Sequence, residues 1–116
     1  MRTREEKIPI SLRVPGFMLK KIDKLIEAHV FKDRPHYFAY VVSRYLEGVD
    51  PIQDLKAMKD MGAWECNSHI VVKLPASLVE KVDEAVKDYR YGDRSHALRS
   101  CAIRHLVAMR LIGGVV

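Results

Sequence analysis

The sequence predicts an α+β fold in which one strand and two helices occur twice. The chain of 116 residues repeats itself: residues 7–46 align with residues 67–106 without a gap, and nine of the forty aligned positions are identical. Within each repeat the spacing of apolar residues changes from every second residue to about every 3.6 residues, which indicates a strand followed by helices. Units of roughly 40 residues rarely bury a core alone. We therefore expect the two units to fold together around one core.

The identical positions are spread over the whole repeat. They pair Ile10 with Ile70, Pro15 with Pro75, Lys21 with Lys81, Asp23 with Asp83, Asp33 with Asp93, Arg34 with Arg94, His36 with His96, Arg44 with Arg104 and Leu46 with Leu106. Most of the other positions keep their apolar character. This spread is typical of an internal structural repeat.

Each predicted strand has an apolar inner face and a mixed outer face. The inward residues are Ile8, Ile10, Leu12 and Val14, and in the second strand Ile70, Val72 and Leu74. The outward residues are Pro9, Ser11 and Arg13, and in the second strand His69, Val71 and Lys73. A period of two residues predicts half-buried strands. Pro15 and Pro75 end the strands and are expected in the first turn of the following helix, where a proline loses no hydrogen bond.

Two amphipathic helices are predicted after each proline. The apolar stripe of the first helix is Met18, Leu19, Ile22, Leu25 and Ile26, matched by Leu78, Val79, Val82, Ala85, Val86 and Tyr89. Its other face, which includes Asp23, is expected to be solvated surface. Asp33 and Asp93 are placed to cap the second helix. The stripe of that helix is Tyr37, Phe38, Val41, Val42, Tyr45 and Leu46, matched by Ala97, Leu98, Cys101, Ala102 and Leu106.

The repeat divides the chain into three parts. Residues 1–48 make up the first unit with a basic N-terminal arm, residues 49–67 a connector, and residues 68–116 the second unit with an apolar tail. Because Pro51 is suited to the start of a helix, a short helix is expected over residues 51–58 of the connector.

Charge and motif content narrow the function classes. The formal net charge of +5 fits a polyanionic partner, although it also serves solubility. The sequence has no glycine-rich phosphate loop, no Gly-x-Ser-x-Gly elbow and no close carboxylate pair, so neither an enzyme nor a cofactor is expected. Cys66 and His69 have a spacing that metal sites use, but no second pair lies near them, and no metal site is expected.

Cysteine use and hydropathy predict a cytoplasmic protein. Cys66 lies in a polar connector and Cys101 at an apolar position of a helix, which is no disulfide framework. A reducing compartment fits this pattern. No stretch approaches the roughly 18 consecutive apolar residues of a membrane span, and no membrane partner is expected.

A strand, a proline and two helices joined by a short turn resemble the ribbon-helix-helix repressors of the Arc and MetJ type. The resemblance covers both units. In that family two units pair their strands into an antiparallel ribbon, which enters the major groove of double-stranded DNA. Here the resemblance implies an intramolecular pseudo-dimer of two tandem units. It also implies a sequence-specific transcriptional regulator, most simply a repressor.

The resemblance assigns base reading to the outward residues of the strands. These are Pro9, Ser11 and Arg13, with His69, Val71 and Lys73. Arg13 is the strongest candidate, because an arginine can bond a guanine through two hydrogen bonds, a contact that discriminates by about 1–3 kcal/mol. Pro9 departs from the pattern, since it has no polar group to offer. The two strands differ at every outward position, so we expect an asymmetric DNA site.

The resemblance assigns phosphate binding to the start of the second helix of each unit, where free N–H groups and the helix dipole attract anions. The matching residues are Arg34, His36, Arg94, Ser95 and His96, while the two aspartates are expected to be caps. Pro35 stands where the second unit has Ser95, so the phosphate site of the first unit lacks one hydroxyl.

A protein-interaction module is the alternative to a DNA reader. In that hypothesis the connector and the apolar tail of an antitoxin-like protein bind another protein, and Pro9 and Val71 weaken DNA reading. The tail is also suited to self-association of two tandem chains. The salt dependence of binding distinguishes the two hypotheses. Phosphate binding weakens steeply as the salt concentration rises, and apolar docking to a protein need not.

Overall fold

A computed structural model of the chain describes residues 6–47 and 66–110. Its elements are β1 (Lys7–Val14), α1 (Gly16–Glu27), α2 (Arg34–Tyr45), β2 (Ser68–Pro75), α3 (Ala76–Lys87) and α4 (Arg94–Ala108). The α+β prediction is confirmed, with one two-stranded sheet and four helices in these two ranges. α1 and α3 start at equivalent positions of the sequence repeat, and so do α2 and α4.

Three predicted segments lie outside the described residues. They are most of the basic arm, the short helix over residues 51–58 and the apolar tail over residues 111–116. These stay predictions.

β1 and β2 pair antiparallel along their whole length, and we call the pair the ribbon. Its register is symmetric under the sequence repeat. Ser11 lies opposite Val71, its own equivalent in the second unit. On either side, Pro9 lies opposite Lys73, and Arg13 opposite His69. The two ends of the ribbon therefore present equivalent positions of the repeat.

The inner face of the ribbon forms one wall of the core. Its predicted apolar residues are buried except for Ile8, which is half-buried: Ile10, Leu12, Val14, Ile70, Val72 and Leu74. β1 packs on α4 and β2 packs on α2, so each strand contacts the second helix of the other unit. The expectation of one shared core is confirmed.

α4 differs from the amphipathic helix that the apolar stripe predicts. Besides the stripe residues, Ser100, Ile103 and His105 are buried, so the helix is covered on nearly all sides. The reason is its central place, because α4 packs against α2, α3 and β1. The prediction of an amphipathic helix is wrong for α4, because the face that carries the polar residue Ser100 is buried as well.

The prolines precede the helices instead of entering their first turn. Pro15 and Pro75 are the N-cap residues of α1 and α3, with φ of −60° and −56° and extended ψ of 140° and 141°. Both prolines stand where a strand ends and a helix begins, as predicted, but they are N-cap residues and do not lie within the first turn. Proline suits the N-cap because its ring already restricts φ to this range. Its carbonyl still accepts the first helical bonds, as Pro15 does from the N–H of Met18 at 3.1 Å.

The first helix of each unit ends in the left-handed backbone region at a residue that is not glycine. Both His29 and Tyr89 have a φ of 60°. The Tyr89 N–H donates to the carbonyl of Val86 at 3.0 Å, and the Arg90 N–H donates to that of Ala85 at 3.1 Å. These bonds satisfy the last carbonyls of α3. They turn Tyr89 outward, where it is 94% exposed, so its predicted place on the apolar stripe is wrong.

His105 lies buried among aromatic rings at the packing of α2 against α4. The rings of Phe31, Tyr37, Tyr40 and Tyr45 have centroids 5.3 to 6.0 Å from its own. Its Nδ1 is 3.0 Å from the hydroxyl oxygen of Tyr37. Burial lowers the pKa of His105 and raises the pKa of Tyr37. Both side chains are therefore held in their neutral forms.

Replacing Tyr89 by glycine should stabilise the fold. A side chain in the left-handed region costs about 1–2 kcal/mol, and the extra freedom of glycine in the unfolded chain offsets about 0.4–1 kcal/mol of the gain. We expect Tyr89→Gly to raise the free energy of unfolding by about 0.5–1 kcal/mol in urea denaturation. Tyr89→Ala is the control, because it removes the ring and keeps the strained Cβ. Equal effects of the two variants would show that φ is not the cause.

His105 should make stability fall in mild acid. Its pKa in the folded protein lies below the ordinary value of 6.5, so the unfolded chain takes up the proton first as the pH falls. The free energy of unfolding should decrease from just above pH 6.5 down to the folded-state pKa. His105→Asn keeps an acceptor for Tyr37 without the titration, and should flatten this dependence. The exposed His69→Asn is the control, and a flattening of equal size there would contradict the assignment.

Candidate nucleic-acid interface

The outer face of the ribbon is open to solvent over its whole length. All six residues proposed for base reading are exposed: Pro9, Ser11, Arg13, His69, Val71 and Lys73. The cations stand toward the two ends, where Arg13 pairs with His69 and Lys73 pairs with Pro9. The middle is neutral, and Val71 there is 57% exposed. The ribbon thus offers hydrogen-bonding groups on either side of a small apolar centre.

Pro9 fits the ribbon because its nitrogen has no bond to make there. The backbone N–H and carbonyl of Arg13 bond to α4, so they point away from β2. Arg13 and His69 are therefore a non-hydrogen-bonded pair. Since such pairs alternate along an antiparallel ladder, Pro9 and Lys73 are another. The departure that the sequence shows at Pro9 costs the ribbon no hydrogen bond.

A cleft lies at each end of the ribbon, between the strands and the start of a second helix. The Arg13 cleft has a volume of about 400 Å³ and is lined by Arg13, His69, Asp93, Ser95 and Arg99, among others. The Lys73 cleft has a volume of about 410 Å³ and is lined by Lys7, Lys32, His36, Ala39 and Lys73, among others. The starts of α4 and α2 form their respective walls. The two clefts correspond to each other under the repeat.

The predicted aspartate caps are confirmed at both helix starts. The side chain of Asp33 accepts from the His36 N–H at 2.9 Å, and that of Asp93 accepts from the His96 N–H at 2.8 Å. Each histidine also closes the preceding turn. The His36 Nδ1 accepts from the N–H of Lys32 at 3.0 Å, and the His96 Nδ1 accepts from that of Gly92 at 2.9 Å. These bonds leave the ring proton on Nε2.

Arg34 and Arg94 already have a carboxylate partner. Arg34 donates from Nε and Nη2 to the two carboxylate oxygens of Asp23, at 3.0 and 2.9 Å. Arg94 donates in the same way to Asp83, at 2.7 and 2.8 Å. The hydrogen bond to the aspartate raises the pKa of each guanidinium. Two of the nine identical positions of the repeat thus form the same ion pair in each unit. It ties the first helix of each unit to the second.

This pairing changes the interpretation of both partners. Asp23 is not plain solvated surface, as its helix face predicts, because its carboxylate is held by Arg34. The proposed phosphate role of Arg34 and Arg94 stays a prediction, and the guanidinium edges that bond the aspartates are not available for it. Sequence periodicity cannot show the pair, since its members are 11 residues apart on two different helices.

Ser95 and Arg99 bond to the backbone of Arg13. The Arg13 N–H donates to the Ser95 hydroxyl at 3.3 Å. The Arg99 Nη1 donates to the Arg13 carbonyl at 3.0 Å and to the Ser95 hydroxyl at 3.4 Å. Sequence reasoning missed Arg99. The available signal was the change of both Pro35 and Ala39 to polar residues in the second unit, at two positions one helical turn apart.

Cys66 lines the Arg13 cleft, but residues 6–47 and 66–110 contain no group of three His, Cys, Asp or Glu residues suited to hold a metal ion. Within the same ranges no helix has the length and apolarity needed to cross a membrane.

No protein-family model, curated protein or solved structure matches this chain. The features of the chain that bear on its function are the ribbon, the two clefts and the internal repeat.

A double-mutant cycle should detect the ion pair of the second unit. The side chains of Arg94 and Asp83 are 42% and 41% exposed, so solvent screens the attraction, while the two-bond geometry favours it. We expect Asp83→Ala and Arg94→Ala to couple by about 0.5–1 kcal/mol in urea denaturation, and less at high salt. Asp88 and Arg90, 4.0 Å apart at the surface, are the control and should couple by about zero. A coupling energy of zero between Arg94 and Asp83 would show that the ion pair does not hold Arg94, and its whole guanidinium would then be a candidate for phosphate binding.

Proposed function

We propose that the chain is a tandem ribbon-helix-helix protein that binds double-stranded DNA sequence-specifically and represses transcription in the cytoplasm. One observation carries the proposal: the outer face of the antiparallel ribbon is exposed over its whole length and displays polar side chains at both ends. In the described ranges the helices pack on the inner face of the two-stranded sheet, which leaves the outer face for a partner.

The dimensions of the ribbon suit the major groove. Two paired strands are about 5 Å apart, and the groove is about 12 Å wide. The ribbon and its outward side chains therefore fit into the groove. Each strand has eight residues, or roughly 26 Å at about 3.3 Å a residue. That length spans several base pairs, which are spaced at about 3.4 Å.

The outward side chains supply distinct reading chemistry. Arg13 can donate two bonds to O6 and N7 of a guanine, and Lys73 can donate to the same atoms as a point charge. Ser11 can donate or accept, and His69 does so according to its tautomer. Val71 offers a methyl contact to thymine. Pro9 adds only apolar contact.

The two clefts suit the phosphates on either side of the groove. In each cleft the start of a second helix presents the positive end of its dipole, and the cap aspartate already accepts from one N–H group there. The start of α2 has one N–H group fewer than that of α4, because Pro35 has none. Lys7 and Lys32 add cations at the Lys73 cleft, and Arg99 adds one at the other. His36, Ser95 and His96 lie at the helix starts and are candidates for phosphate binding. Arg34 and Arg94 are weaker candidates, because each already bonds an aspartate. The net charge of +5 favours the approach of a polyanion.

Removing both cationic readers should abolish sequence preference and spare the fold. We expect Arg13→Ala/Lys73→Ala to discriminate a selected duplex from a scrambled one at least about tenfold less well, because each good base contact discriminates by about 1–3 kcal/mol. Selection from randomised duplexes followed by fluorescence anisotropy measures this ratio. Thermal unfolding should change little, since both side chains are exposed.

Lys20→Ala/Lys81→Ala is the matched control, because it removes two exposed cations, one from each half, away from the ribbon. It should weaken binding to all duplexes alike and keep their ranking. Two results contradict the proposal: discrimination that survives in Arg13→Ala/Lys73→Ala, or a parent protein that binds no duplex at low salt. The second would favour the protein-interaction module.

A further inference from the structure

We propose that Arg99 is a positioning residue that holds one end of the ribbon rigid, so that the two halves of the DNA site are read with unequal strictness. The base pairs under Arg13 are read strictly and those under Lys73 loosely. This inference rests on the proposed DNA reading. It deepens that proposal by naming the residue that makes the two halves of the DNA site unequal in strictness.

Arg99 and Ser95 cap the free edge of β1 at the base-reading arginine. Because Arg13 is in a non-hydrogen-bonded pair, its N–H and carbonyl have no partner in β2. Ser95 accepts from the N–H, and Arg99 donates to the carbonyl. Arg99 also donates to the Ser95 hydroxyl and so orients it. Both backbone groups of Arg13 are thereby fixed to α4, and with them the direction in which its side chain leaves the ribbon.

The place of Arg99 favours a positioning role. Its Nε is buried and has no hydrogen-bond partner, while its Nη1 is used for Arg13 and Ser95. Among the described residues it has no carboxylate partner, unlike Arg34 and Arg94. The guanidinium is thus held at the ribbon edge by the bonds that fix Arg13.

The other end of the ribbon lacks this tether. The positions that correspond to Ser95 and Arg99 are Pro35 and Ala39, whose side chains have no hydrogen-bonding group. They line the cleft beside Lys73, the equivalent of Arg13. Neither can hold the backbone of Lys73. The reader at this end is also a lysine, whose flexible stem carries a point charge instead of a planar fork.

A tether of this kind affects specificity more than affinity. A guanine contact through two bonds needs the guanidinium within about 0.5 Å of its best geometry, so looseness in the strand lowers discrimination first. A phosphate contact, by contrast, strengthens binding to every sequence equally. The two roles of an arginine at this place can therefore be separated by experiment.

Amide exchange in the free protein tests the tether without DNA. We expect the Arg13 amide to exchange about tenfold faster in Ser95→Ala, because the acceptor of its hydrogen bond is lost. It should also exchange several-fold faster in Arg99→Ala, because the Ser95 hydroxyl and the Arg13 carbonyl lose the donor that holds them in place. Lys32→Ala, which removes a cation from the Lys73 cleft, should leave that amide unchanged. Unchanged exchange in Arg99→Ala would overturn the proposal, even if Ser95→Ala exchanges faster.

Selection from randomised duplexes tests the reading. In the parent protein one half of the selected site should be strict and the other degenerate, and Arg99→Ala should make both degenerate. Pro35→Ser/Ala39→Arg should sharpen the degenerate half, because it places the tether beside Lys73. A uniform loss of affinity in Arg99→Ala with ranking kept and the salt slope reduced by about one would assign Arg99 to a phosphate and overturn the proposal.

The two tests separate failure of this inference from failure of the proposed function. If the parent protein enriches no site, DNA reading fails, and the exchange rates still decide whether Arg99 holds the ribbon. If it enriches a site whose halves are equally strict, DNA reading stands, and the proposal that Arg99 makes the halves unequal is refuted.

Discussion

The pairing of β1 with β2 is the contact on which the rest of the structure depends. It joins the one strand that each unit has in the described residues and puts their apolar faces side by side, although the two strands are distant in the chain. Each strand then packs on the second helix of the other unit, so neither half has a complete core of its own. Such a non-local contact costs loop-closure entropy. This cost is smaller than the entropy that two separate chains would lose on pairing, because the connection within one chain keeps the strands at a high effective concentration.

The same pairing creates the outer face, because neighbouring residues of a strand point to opposite sides. Leu12 and Ile70 point into the core, and Arg13 and His69 next to them point outward. The ion pair between Arg94 and Asp83 ties α4 to α3, which holds the helix start beside the end of the ribbon. A change of register by one residue would bury the polar residues and expose the apolar ones. Core and candidate interface are therefore two consequences of one register.

Sequence reasoning was most successful where a local rule decides. Alternation placed the faces of both strands, and a side-chain oxygen at Asp33 and Asp93 was enough to predict the caps. It failed where the partner is distant. The ion pair of Arg34 joins two helices, and Arg99 reaches a strand 86 residues away, which no periodicity reveals.

Burial that depends on tertiary packing was also beyond local rules. His105 and Ser100 are polar residues on a helix whose neighbours cover it on nearly all sides, so the pattern of its sequence underestimates its burial. Tyr89 shows the opposite error. Its spacing from the helical stripe suggested an inward side chain, but the helix ends at Lys87 and the backbone turns Tyr89 into solvent.

The proposed reading of DNA by the ribbon can be tested most directly by following backbone amide resonances while a selected duplex is added. We predict that the largest shifts fall on residues 7–14 and 68–75 and on the first turns of α2 and α4. Shifts confined to the outer faces of α1 and α3, with the ribbon unchanged, would contradict this mode of binding.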